Sequence, residues 1–186
     1  MVDRILAAAT RVLETRGYTG MSTNRVAEEA GVSVGSLYRY FADKDEIVAA
    51  LRARSTADIM ETLTAAMAHA GALPPRAAIR SILEALVGAL QRHRALTAAL
   101  VAEVPLGAQS NVLPEVERQL AHVARMFVAL HAPHLDRLEA DARIHLALGV
   151  ALSTCLRIAV DPPLGIAEDR LLDLAADLLD AGLVLP

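Results

Sequence analysis

Residues 22–44, STNRVAEEAGVSVGSLYRYFADK, gather the side chains best able to do chemistry. Two short segments with helical apolar spacing, about 23–30 and 34–40, are joined by Gly31-Val32-Ser33. Counting from Thr23, Ala27 lies four residues on, Gly31 eight and Leu37 fourteen. A helix-turn-helix needs a small residue where its helices cross, a residue tolerant of positive φ at the turn, and an apolar anchor on the second helix. Ala27, Gly31 and Leu37 meet those demands, and Ser33 is placed to cap the second helix. Val26, Leu37 and Phe41 read as core. The outward face carries Val34, Gly35, Ser36, Tyr38, Arg39 and Tyr40. A helix from 34 to 40 would be about 10 Å long, enough to set one turn in the major groove of duplex DNA. Its hydroxyls and its guanidinium suit base edges, sugars and phosphates.

The elements that must position this pair are helical throughout. No sustained period-2 alternation and no Asn-Gly or Asp-Gly hairpin signal occurs, and alanine, the best helix former, supplies 37 of 186 residues. Ile5, Ala8, Ala9, Val12 and Leu13 form the first stripe, ended by Gly17. Asp43 and Glu46 form a capping box for a long helix to Gly71, striped by Val48, Leu51, Ile59, Leu63 and Met67. Pro74-Pro75 opens the next helix, with Ile79, Ile82, Leu83, Leu86 and Leu90 inward. A shorter helix covers Leu96–Val104 and stops at Pro105; Leu106–Val112 reads as a loop. Pro114, Glu115 and Glu117 begin a helix with Val116, Leu120, Val123, Phe127 and Leu130 inward. Asp136 and Glu139 suggest a second capping box, before a helix to about Val160. A last helix follows over 166–182. The pattern predicts an all-α fold of about nine helices, divided into an N-terminal three-helix domain, 1–47, and a helical domain, 48–186.

Composition narrows the function. Residues 1–54 hold eight basic against seven acidic residues, and the remainder ten against fifteen, so only the first part is mildly positive. The longest uncharged stretch in the most apolar segment, Leu146–Leu156, is 11 residues. A membrane span needs about 20, so none is expected. No secretory signal pattern opens the chain, which leaves a cytoplasmic location as the expectation. Cys155 is the single cysteine, so neither an internal disulfide nor a Cys-x-x-Cys zinc site is available. Glu-x-x-His and His-x-x-x-His are also absent, so no metal and no cofactor is expected. No Gly-rich phosphate loop and no Gly-x-Ser-x-Gly appears, which argues against an enzyme.

The last two helices are too apolar for one buried face. Leu146–Leu156 has no charge around its circumference. In the final helix Leu171, Leu174, Ala175 and Leu178 make one stripe, and Leu172, Ala176, Leu179 and Leu183 a second. One stripe serves a surface helix. Two predict burial against both the chain's own core and a partner: a two-fold homodimer through residues about 140–160 and 166–183.

Residues about 4–47 resemble the DNA-binding domain of the TetR family of transcriptional regulators. The match runs through RILAAATRVLETRGYTGMSTNRVAEEAGVSVGSLYRYFADKDEIV and is most specific at AGVSVGSLYRYFADK. The resemblance implies a sequence-specific regulator, a ligand-responsive repressor that binds an inverted-repeat operator in double-stranded DNA as a homodimer. It places Ser22, Thr23 and Asn24 at phosphate, with Asn24 able to reach a base. Val34, Gly35, Ser36 and Tyr38 would meet base edges and sugars. Tyr40 and Lys44, the only lysine, would hold phosphate, and Arg39 would face either DNA or solvent. With only Met1–Asp3 ahead of the first helix, the major groove alone is expected to be read. The second domain would bind a small-molecule inducer that tilts the long helix from Asp43 and spreads the two heads. Polar residues on its otherwise apolar helices, His93, Glu103, His122, Arg125 and His145, are candidate contacts, with Met60, Met67, Met126 and Phe127 as lining. The scarcity of aromatics favours a compact or aliphatic inducer over a flat cation. The competing reading is a helical adaptor, or an orphan regulator that has no inducer.

Overall fold

The computed structural model describes residues 1–103 and 114–184, without the side chains of Ala102, Glu103 and Val184. Among the described residues it contains nine helices and no strand. They are α1 (Val2–Gly20), α2 (Thr23–Ala30), α3 (Val34–Tyr38), α4 (Lys44–Ala70), α5 (Pro75–Arg92), α6 (Arg94–Glu103), α7 (Pro114–His131), α8 (Arg137–Val160) and α9 (Glu168–Val184). The anticipated stop of α6 at Val104-Pro105 and the loop Leu106–Val112 lie outside the described residues.

The chain divides into two compact units, Met1–Ala57 with His93–Glu103, and Asp58–Arg92 with Val104–Pro186. Helix α4 contributes residues to both. The first unit extends past the expected boundary at residue 47 and recruits α6 from 93–103. The cause is burial: Leu96 joins the core built by Ile5, Ala9, Val12, Val26, Ala27, Leu37, Phe41 and Ile47. Helix α1 packs against both α2 and α6.

Local chemistry sets the ends of these helices. Gly17 adopts φ 63°, and the helical path of α1 breaks there before one more turn to Gly20. At the start of α4 the Glu46 N–H donates to Asp43 Oδ1 at 2.8 Å, while Glu46 Oε2 accepts from the Ala42 N–H. That is the expected capping box, with its return bond one residue earlier than usual. The second box forms only by half. Glu139 N–H donates to Asp136 Oδ1 at 2.9 Å, but the Glu139 carboxylate pairs with Arg143 one turn on.

In the second unit Ile79, Leu83, Leu86 and Leu90 of α5 are buried, as are Leu152, Cys155 and Leu156 of α8. Leu130, expected to face inward, is 71% exposed; Val128 takes the buried position on α7. An ion-pair ladder joins α5 to α9. Arg76 pairs with Asp173 and Asp177, and Arg80 with Asp169, Asp173 and Glu84. The hydrogen bond from Arg76 holds the Asp177 carboxyl below its ordinary range.

Leu37 is fully buried in the first unit. Leu37→Ala is expected to destabilise that unit by about 2–5 kcal/mol. All three tyrosines lie in it and the chain has no tryptophan, so tyrosine fluorescence during urea unfolding reads this unit alone. An unchanged midpoint would remove Leu37 from the core.

Candidate nucleic-acid interface

The interface is built from α2, the turn and α3. Ser22 is the N-cap of α2, its hydroxyl accepting from the Arg25 N–H at 3.4 Å. Gly31 closes the helix in the left-handed region at φ 61°, with its N–H directed to Ala27 and Glu28 carbonyls. A side chain there would be strained even though the surrounding space is open. Ser33 then caps α3 by accepting from the Ser36 N–H at 3.1 Å, and the Ser33 and Ser36 hydroxyls lie 2.8 Å apart. The helix is shorter than its pattern suggested, five residues ending at Tyr38. Leu37 and Phe41 point into the core and fix its orientation.

That anchoring turns the remaining side chains outward. Val34, Gly35, Tyr38, Arg39 and Tyr40 are exposed, Tyr38 by 51% and Tyr40 by 44%, while Ser36 is half-buried. Gly35 has no neighbour within 4 Å of where a Cβ would sit, so folding does not demand glycine at this position. The Thr23 and Tyr38 hydroxyls lie 3.1 Å apart, tying the start of α2 to the outer face of α3. Ser22 and Thr23 are half-buried, and Asn24 is exposed. The Lys44 ammonium sits 4.2 Å from the centre of the Tyr18 ring. Ser22 and Ser33 thus use their hydroxyl oxygens as cap acceptors, which leaves the Ser22 O–H able to donate outward, while the outer face carries further hydroxyls, aromatic edges and cations.

Nearby cations differ in their commitments. Arg11 pairs with Glu29, Arg54 with Asp3, and Arg25 donates to the Gly20 carbonyl. Arg4 donates to the Gly31 carbonyl at 3.2 Å, bracing the turn from α1. Arg39 and Lys44 have no carboxylate partner among the described residues. An exposed helix flanked by hydroxyls and two cations without carboxylate partners can meet phosphate and the base edges of a groove.

The second unit holds an apolar cavity of about 80 Å³ between α5, α7, α8 and α9. Its wall includes Ile79, Leu83, Leu120, Phe127, Leu148 and Leu179. Of the nine residues expected around a ligand, the cavity takes in Phe127. Met60 and Met67 are half-buried on α4, and His93 is half-buried within the first unit. His122, Arg125, Met126 and His145 are exposed. The side chain of Glu103 lies outside the described residues. The cavity's aliphatic wall carried no signal of its own in the sequence, because lining and packed core share one apolar stripe. No cluster able to hold a metal occurs among the described residues.

Helices α8 and α9 leave an apolar face uncovered. Leu146, Val150, Leu174 and Leu178 are 68%, 37%, 47% and 59% exposed. The two stripes of α9 differ in burial: Leu172, Ala176, Leu179 and Leu183 are all buried, whereas in the other stripe Ala175 is buried, Leu171 half-buried, and Leu174 and Leu178 exposed. Contrary to the expectation from uncharged runs, α8 is long and apolar enough to cross a membrane, with an 18-residue mean hydropathy of 1.5. The two measures differ because an 18-residue window admits one or two charged residues, here Arg143 and Arg157, which interrupt an uncharged run.

These features define a helix-turn-helix domain joined to an all-helical second unit. Residues 5–51 match the family model described as bacterial regulatory proteins, tetR family. The regulator HbdR of Aromatoleum sp. (strain CIB) is 42% identical over 45 residues, 24% of this chain and 20% of that one. The nucleoid occlusion factor SlmA of Haemophilus influenzae (strain PittGG) is 27% identical over 127 residues, 68% of this chain and 57% of that one. The matches thus span a fifth of the first relative and somewhat over half of the second. A solved TetR-like transcriptional regulator from Rhodococcus sp. RHA1 is 25% identical, with a TM-score of 0.67 over 97% of this chain and 91% of that one. Residues 5–51 therefore carry a TetR-family DNA-binding domain, and the fold of the chain is similar to that of solved TetR-like regulators.

Cys155 lies on the inner side of α8, its Sγ 3.9 Å from the Leu83 carbonyl oxygen. Burial pushes its thiol up to about 12. It is therefore expected to stay protonated and silent to a thiol-specific chromogenic reagent at pH 8, and to react once per chain in denaturant. Rapid reaction of the native protein would show that this side of α8 is open.

Proposed function

We propose that the protein is a ligand-responsive repressor, acting in the cytoplasm, that binds an inverted-repeat operator in double-stranded DNA as a homodimer. The observation that carries the reading is the outer face of α3, held outward by buried Leu37 and Phe41 and flanked by two cations without carboxylate partners. On this reading Val34, Gly35, Ser36 and Tyr38 meet base edges and sugars. Ser22, Thr23, Asn24, Tyr40 and Lys44 meet phosphate, and Arg39 lies close enough to join them. The absent side chain at Gly35, not required for folding, lets the DNA backbone or a base approach closely.

The partner for the uncovered face of α8 and α9 is a second copy of the chain. Each helix already buries one stripe, and a groove of about 910 Å³ between them is edged by Val150, Leu171, Leu174 and Leu178. A two-fold axis through that face pairs like with like. It presents two copies of α3 to half-sites about 34 Å apart. A bilayer would be the other way to cover α8, and an oligomer measured in detergent-free buffer separates the two.

The cavity supports a compact, aliphatic inducer. Its volume is small beside the roughly 300–1,000 Å³ of ordinary ligand sites, and an engineered apolar cavity of about 150 Å³ takes benzene. A larger inducer must therefore select a state in which the cavity is wider. DNA affinity falls only by the difference in its affinity for the two states. Helix α4, with residues in both units, is the covalent route for that change.

Tyr38→Ala is expected to weaken operator binding by about 1–3 kcal/mol and to relax sequence preference. Lys44→Ala is expected to weaken all duplexes about equally and to reduce the salt slope by about one. Operator titrations at several salt concentrations check both, and wild-type behaviour in each would remove these contacts. Leu178→Asp is expected to raise the dimer dissociation constant by about 100-fold or more, since an unpaired buried carboxylate costs several kcal/mol. Sedimentation velocity reads this directly; an unaltered dimer would place the interface elsewhere.

A further inference from the structure

The end of α1 and the start of α4 meet in a three-residue cluster that the sequence analysis did not single out. Tyr18 lies just past the break at Gly17, where φ 63° turns the last turn of α1 off its helical path. Its ring face lies 4.2 Å from the Lys44 ammonium. Its hydroxyl donates to Asp45 Oδ1 at 2.5 Å. The ring is half-buried and packs against the core of the first unit, so it is a fixed platform.

We propose that Tyr18 is a positioning residue for DNA binding, seating the Lys44 ammonium on its ring while holding the Asp45 carboxylate with its hydroxyl. The inference rests on the reading of Lys44 as a phosphate contact. Three physical points support it. A lysine side chain loses considerable rotamer freedom on binding phosphate as a point charge, and a prior seat reduces that loss. An aromatic face attracts an ammonium without neutralising it, unlike a carboxylate, so the cation keeps its full charge and free N–H donors. The two carboxylates that flank Lys44 in sequence would repel phosphate and compete for its ammonium; Asp43 accepts from the Glu46 N–H, and the Tyr18 hydroxyl gives Asp45 another partner.

Because Lys44 is the only lysine, selective lysine labelling yields one side-chain spin system. In the free protein its Hε resonances should be shifted upfield by the ring. The shift should vanish in Tyr18→Leu and persist in Tyr18→Phe. Binding is then measured to a random-sequence 30-bp duplex at low salt, where phosphate contacts dominate. Tyr18→Leu should weaken binding about two- to fivefold, the range of an exposed cation–π contact. Tyr18→Phe should recover most of that loss. In the Lys44→Ala background, Tyr18→Leu should cost nothing further.

An unshifted Hε resonance in the wild type would overturn the seating, whether or not Tyr18→Leu folds. Equal losses from Tyr18→Leu with and without Lys44 would overturn the positioning role and leave a structural one. If Lys44→Ala itself binds the duplex like wild type, the phosphate contact fails, and the inference fails with it. The two failures are told apart by the single variants.

Discussion

Five residues of isolated helix do not hold together in water, because fixing the first turn costs more than its one or two hydrogen bonds return. Helix α3 is that short, and its existence depends on Leu37. Leu37 and Phe41 sink into a core supplied by α1, α2, α4 and α6, and the Ser33 hydroxyl caps the helix by accepting from the Ser36 N–H. With one side of the helix nailed down, the opposite side has no choice but to face outward. The exposed row Val34, Gly35, Tyr38 and Arg39 is thus the consequence of a buried one. The Gly31 turn and its brace from Arg4 set the direction in which that row points.

The second unit is ruled by a different constraint, an excess of apolar surface. Helices α8 and α9 carry more hydrophobic residues than one chain can bury, so Leu146, Val150, Leu174 and Leu178 are left outside. Facing inward, the same helices enclose a cavity with an apolar wall. The acidic edge of α9 meets Arg76 and Arg80 on α5, which fixes which face of α9 remains open. One helix pair thereby supplies an open apolar face and a cavity wall with separate residues, Leu174 and Leu178 for the first and Leu179 and Leu183 for the second.

Much of this was legible in the residues. Ala27, Gly31 and Leu37 announced the helix-turn-helix because each position has a steric requirement that few residue types meet. Asp43 announced the start of α4 because a cap is a local hydrogen bond. Non-local choices stayed hidden. The Glu139 carboxylate could cap or pair with Arg143, and only the packed structure selects the pair. Leu130 fits the inward stripe of α7 as well as Val128 does, yet tertiary packing buries Val128. Tyr18 is far in sequence from Lys44, and nothing local signals that its ring lies beneath that ammonium. Leu96 gave no hint that α6 folds with the N-terminal helices. The nine candidates for a ligand site, eight of them polar or sulfur-bearing, were sought by chemistry, whereas the cavity is made by shape, and Phe127 is where the two coincide.

The central claim is that the outer face of α3 reads duplex DNA, two copies at a time. Selection of fragments from the source organism's genomic DNA with the purified protein, followed by footprinting of the best fragment, tests it most directly. The account predicts a protected inverted repeat with half-sites about one helical turn apart, bound by a dimer and released steeply as salt rises. Enrichment no better than random at low salt, or protection of a single half-site by a monomer, would contradict it.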